Sequence, residues 1–199
     1  MLIFNLDELH AELEKLPHRL RAVFLAWVCE RMLPSYTSFS KRYGLDQVIL
    51  RDALDRAWEW LGAPSDDIDF SILAKRCEDL APETEDYNDP LVSAALDAAV
   101  AIGALLRYLK RFENGNLSDG LTLIRDSIDM HVQELEGMDS LDSDLEGRIA
   151  SHPLMQKELN VEKEDISYLK RIRGEEVNIL EIKGRWYDLK IGCLGDLKA

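Results

Sequence analysis

Residues 89–112 read DPLVSAALDAAVAIGALLRYLKRF, and this stretch decides the fold. Asp89 is a good N-cap residue, and Pro90 suits a first helical position because it lacks the amide that would otherwise be orphaned. Arg107, Lys110 and Arg111 crowd the far end, where positive charge complements the helix macrodipole. Asn114-Gly115 then predicts the stop, since these residues tolerate positive φ. Between Leu91 and Leu106 the only charge is Asp97. A helix that is apolar all round is buried on several sides. The run is too short for a bilayer and carries a charge inside it, so it reads as a core helix and not as a membrane span.

A second apolar helix is predicted over residues 18–33. Leu20, Val23, Phe24, Trp27 and Val28 form one face, and Ala22, Leu25, Ala26, Cys29 and Leu33 cover much of the other. Counting 100° per residue puts Arg31 in the middle of the first stripe and Glu30 on its flank. Pro34 predicts the end of this helix, because the residue before a proline avoids the α region. A separate short helix is expected over 35–43, closed by Gly44.

The remaining elements follow from capping and periodicity. Asn5 with Glu8 resembles a capping box ahead of Leu6, Leu9, Leu13 and Leu16. Asp46 caps a helix that ends at Gly62 and Pro64. Asp69 leads a short one through Phe70, Leu73, Ala74, Cys77 and Leu80. Asn116 or Ser118 caps the next, with Leu117, Leu121, Ile124, Ile128, Val132 and Leu135 at helical spacing and Gly137 at its end. Residues 138–151 are acidic, with room for one short helix. Pro153 starts a further helix with Leu154, Met155, Leu159, Ile166 and Leu169 inward. Residues 175–189 are read as helical, and 192–199 as a frayed tail. The expectation is an all-α, single-domain helical bundle over residues 1–199, with about seven or eight helices around two buried central ones.

Composition narrows the function. The formal charge of −14 disfavours a nucleic-acid partner, because phosphate would be repelled. It permits attraction to a protein with a basic surface. Cys29, Cys77 and Cys193 are far apart and form no CxxC, which fits reduced thiols in a cytoplasm. The N-terminus shows no signal-peptide pattern. His10, His18, His131 and His152 have no metal-binding spacing. The run from Asp142 to Ile149 imitates the first half of a calcium loop, but its twelfth place is Pro153 instead of a bidentate glutamate, so an acidic surface loop is expected. Trp27, Trp58 and Trp60 read as core. No cofactor motif is present, and no glycine-rich phosphate loop or nucleophile elbow.

Asp97, Arg31 and Glu30 form the one candidate site. A charge on an apolar helix must find partners or shift its pKa. Arg31 could supply a two-pronged partner for Asp97. The preferred reading is a structural ion pair fixing how two core helices meet. The rival is a buried acid serving catalysis or ligand binding.

The segment Cys29-Glu30-Arg31-Met32-Leu33-Pro34-Ser35-Tyr36 resembles the CERM-x-P-x-Y signature of the YjaG-like bacterial family, domain of unknown function four-sixteen. Leu54-Asp55-x-x-Trp58, Asp97 in its alanine-rich helix and the helix start at Pro153 to Glu158 also match. The resemblance runs from about Pro17 to the C-terminus. It departs at Ala57, where a bulkier aliphatic is usual, and in the polar stretch 160–175. It implies an all-helical bundle without assigned catalytic residues, and a link to histidine-kinase signalling suggested by gene neighbourhoods. The leading expectation is therefore a non-enzymatic cytoplasmic interaction or accessory protein meeting a basic partner. The alternatives are an immunity-type inhibitor of a basic protein and an enzyme using Asp97 and Glu30. Homo-oligomerisation is left open.

Overall fold

The computed structural model describes residues 4–65, 67–139, 141, 143–173, 178, 179 and 181–184. Eight α-helices are found among them: α1 (Leu6–Glu14), α2 (His18–Tyr43), α3 (Val48–Gly62), α4 (Phe70–Glu78), α5 (Val92–Arg111), α6 (Asn114–Glu136), α7 (Leu145–Ser151) and α8 (Pro153–Arg171). A 3-10 turn at Thr84–Asp86 lies between α4 and α5. The described residues include no strand, and the chain is an all-α single-domain fold.

α2 and α5 are the buried centre, as their all-round apolar surfaces require. α5 packs against α2, α4 and α6. It is long and apolar enough to cross a membrane, yet most of it is buried inside the protein. Small residues let α5 approach its neighbours closely: Ala95, Ala98, Ala99, Ala101 and Ala104 are all fully buried. Gly120 of α6 lies against both central helices: a Cβ there would sit 2.7 Å from Leu25 Cδ1 of α2 and 3.5 Å from Ala104 Cβ of α5.

The caps follow the chemistry expected of them. Asn5 accepts the Glu8 amide at 2.8 Å, Asp46 accepts those of Val48 and Ile49, and Asp69 accepts that of Ser71 at 2.9 Å. Gly44 and Gly137 close α2 and α6 at positive φ.

Three boundaries differ from expectation. Pro34 does not end a helix; α2 runs through it to Tyr43, so residues 18–33 and 35–43 are one element. Proline deletes one backbone donor, and burial of Tyr36 and Phe39 on the far side offsets that loss. At the other central helix, Asp89 caps a turn instead of α5 itself, accepting the Leu91 amide at 2.8 Å, and α5 begins at Val92. Its end comes at Phe112, with φ of 54°, ahead of Asn114-Gly115, which open α6. A left-handed Phe is strained by sterics. Its ring is held among His18, Trp60 and Tyr108 at centroid distances of 5.3, 6.1 and 5.6 Å, and that packing dictates the stop.

The calcium-like stretch is also not a loop throughout. Residues 145–151 form α7, and His152 caps α8 by accepting the Leu154 amide through Nδ1 at 3.3 Å. Asp142 lies outside the described residues, as do Cys193, the tail 192–199 and most of 175–189. Within that last span Ile179 and Ile182 are buried, and the Ile182 carbonyl accepts from Trp27 Nε1 at 3.2 Å.

Candidate functional site

The structure separates the three singled-out charges into three environments. Arg31, only 1% exposed, does not meet Asp97. It faces α8, where Nε and Nη2 donate to Glu158 Oε1 at 3.0 and 2.7 Å and Nη1 donates to Asp165 Oδ2 at 3.0 Å. The expected Arg31–Asp97 pair is therefore wrong. Helical position put both charges near the centre of the bundle, but their azimuths aim them at different neighbours. Glu158, Glu162 and Asp165 recur at i, i+4 and i+7, so α8 presents them on one face with Met155 and Leu169. Arg125 of α6 completes the cluster, pairing with Glu162 and donating to the Phe4 carbonyl at 2.8 Å. Burial pushes the Glu162 carboxyl up, against the Arg125 hydrogen bonds that pull it down. Sequence reading missed these acids because it sorted α8 by its apolar residues alone. Their spacing on the Met155–Leu169 stripe was the available signal.

Glu30, 3% exposed, sits in a second cluster on the other side of α2. Arg51 Nη1 and Nη2 donate to its two oxygens at 2.7 and 2.8 Å, and Trp58 Nε1 donates at 2.8 Å. Arg51 also grips Asp55, which Lys183 reaches at 2.7 Å. Trp58 is thus core and polar anchor at once. Both clusters join helices through hydrogen-bonded, charge-complementary contacts.

Asp97 has a different setting. It is half-buried, not sealed in the core, and its Oδ2 accepts the Ser127 hydroxyl from α6 at 2.6 Å. Burial raises its pKa above the ordinary carboxylate range; Ser127 opposes the rise and the Asp126 charge adds to it. Burial likewise raises Asp126, and the charge of Asp129 reinforces it. Among the described residues no lysine or arginine pairs with Asp97, Asp126 or Asp129; Asp129 accepts only from Gln133. Asp126 thus carries like-charge repulsion with Asp97 on one side and Asp129 on the other, an unfavourable arrangement without a cation.

Beside them a cleft of about 380 Å³ opens between the start of α5 and the second half of α6. Pro90 and Ala94 line one wall, Met130 and Met138 the other, with Ser127, His131 and Glu134 as polar groups. Met130 and Leu135 are more than half exposed on α6. His131 Nε2 is buried without a hydrogen-bond partner, and burial holds this imidazole below its ordinary pKa. Nε2 makes no contact with Ser127, whose hydroxyl donates to Asp97 instead, so no Ser–His pair forms in the cleft. Glu30 lies in its own cluster and lends nothing to Asp97. No group of three or more metal-ligating side chains occurs among the described residues.

Cys29 and Cys77 are buried free thiols whose pKa values burial pushes up, that of Cys77 to about 12.

Comparison with known proteins agrees with this architecture. The chain is 30% identical over 190 residues to YjaG of Salmonella typhimurium, covering 92% of each, and 29% identical over 189 residues to YjaG of Escherichia coli, again covering 92% of each. A crystal structure of a DUF416 family protein from Shewanella baltica superposes with a TM-score of 0.83 at 22% identity, covering 94% of this chain and 96% of that one. The model of the family described as "Protein of unknown function (DUF416)" matches residues 8–195, and this chain, bacterial in its relatives and helical in its fold, belongs to that family.

Proposed function

We propose that the protein is a non-enzymatic interaction module whose α5–α6 cleft receives a basic amphipathic helix from a partner protein. The uncompensated carboxylates of Asp97, Asp126 and Asp129 beside a methionine-lined cleft carry this reading. Methionine adapts its shape to an apolar face, and carboxylates already lacking a cation gain more from one than paired carboxylates would. The net charge of −14 supports long-range attraction of a basic partner. A cytoplasmic accessory of bacterial signalling fits this chemistry, and so does an inhibitor of a basic toxin acting through the same face.

The test uses a synthetic helix of about 18 residues with leucine on one face and lysine on the other, and a glutamate-for-lysine counterpart. Isothermal titration should show saturable binding of the lysine peptide that weakens with salt, is lost in Met130→Asp and in Asp126→Lys/Asp129→Lys, and is absent for the glutamate peptide. A photo-crosslinker at position 130 in cells should then capture a lysine- and arginine-rich helical segment. Equal binding of both peptides, or no saturation by ~100 µM, overturns the reading.

A further inference from the structure

The opposite end of the same helix pair carries the reverse electrostatic character. There the last turns of α5 supply Arg107, Lys110 and Arg111, α4 supplies Ser71, Lys75 and Glu78, and the start of α6 supplies Glu113 and Asn116. They enclose a cleft of about 400 Å³, within the ~300–1,000 Å³ span of small-molecule sites. Four cations and two carboxylates line it in a chain whose formal charge is −14. We propose that this cleft binds a small phosphate ester.

Internal pairing accounts for only part of the cluster. Arg107 is committed: it pairs with Glu78 and its Nε donates to Asn116 Oδ1 at 3.2 Å, forming a fixed floor. Gly103 makes room for that floor, since a Cβ there would lie 3.2 Å from Glu78 Oε1. Lys75 pairs with Asp79 on its own helix. The outer two cations are held loosely. Lys110 reaches Asp69 Oδ1 at 3.5 Å, and that oxygen already accepts the Ser71 amide. Arg111 reaches Glu113 at 3.5 Å. Both pairs are exposed, where such contacts contribute about 0–1 kcal/mol.

Placement at the end of α5 suits the macrodipole and would by itself explain Lys110 and Arg111. Lys75 likewise sits in the last turn of α4, and the packing of α4 on α5 brings the basic ends of two helices to one cleft. A dianion would draw donors from Lys110 and Arg111 at once, with Lys75 adding charge from the far wall. The arginine fork and a lysine point charge match the several oxygens of a phosphate better than the two of a carboxylate. The ester's organic part has Ala74 and the Ser71 hydroxyl to rest against.

The decisive experiment is titration calorimetry of the full chain with glycerol 3-phosphate and ribose 5-phosphate, and with succinate as a dicarboxylate, in ~150 mM salt. Saturable binding of the phosphate compounds is expected, with little for succinate. Lys110→Gln/Arg111→Gln should weaken binding at least tenfold while its circular dichroism stays native. If that pair of changes unfolds the chain, Lys75→Gln alone should still weaken binding severalfold. Lys157→Gln, exposed on α8, should bind as the parent does. No saturation by ~10 mM, unchanged affinity in the substituted cleft, or succinate binding as tightly as phosphate overturns the proposal. Asp126→Lys/Asp129→Lys should leave phosphate binding intact, so this site and the helix-binding cleft fail separately.

Discussion

Replacing Arg31 with methionine tests the most consequential contact between α2 and α8. Methionine keeps the length and apolar volume of the arginine stem but removes the guanidinium. Glu158 and Asp165, both about 2% exposed, would then lose three hydrogen bonds and the positive charge that offsets their desolvation. Breaking a buried ion pair by deleting one partner costs about 3–5 kcal/mol. For a chain of this length each kcal/mol lowers Tm by about 2–4 °C, so a fall of roughly 6–20 °C is expected. Urea titration at pH 7 followed by circular dichroism gives the free energy, and a melt gives the shift. The triple change Arg31→Met/Glu158→Gln/Asp165→Asn should recover a large part of the loss, since amides at 158 and 165 carry no charge to desolvate, while Glu162 keeps Arg125. A single variant within about 1 kcal/mol of the parent, or a triple variant no better than the single, would refute the reasoning.

Three further outcomes follow from other contacts. Asp97→Asn should be at least as stable as the parent at pH 7: the folded state raises the Asp97 pKa, so stability falls as pH rises from about 3.8 through the folded value, and the amide removes that loss while still accepting from Ser127; urea titrations at pH 7 and pH 4 should show its advantage shrinking at the lower pH. Gly120→Leu should destabilise by about 1–3 kcal/mol or more in the same assay, because even a Cβ crowds Leu25 between α2 and α6. Cys29 and Cys77 should remain unlabelled by a thiol reagent in the native protein and react after denaturation, as buried thiols with raised pKa values do.

Individual residues show how far sequence reading reached. Asn5, Asp46 and Asp69 were legible as caps because capping is local: the side chain bonds an amide two or three residues away. Pro34 misled for the same reason, since a local rule could not weigh the burial of Tyr36 and Phe39 against one missing amide. Phe112 gave no local sign of a left-handed residue; besides Tyr108 one turn before it, His18 and Trp60 from distant segments hold its ring there. Glu30 and Arg31 stood out as charges that must be satisfied, but nothing near them in the chain named Arg51, Glu158 or Asp165.

The sequence alone therefore determined the helical class, the two buried rods and the existence of charges needing partners, because periodicity, caps and burial cost act over a few residues. Only tertiary structure decided the partners, the half-open setting of Asp97 and the two clefts at opposite ends of the α5–α6 pair. Those depend on which helix faces which, at what azimuth, and that is a property of packing between segments far apart in the chain.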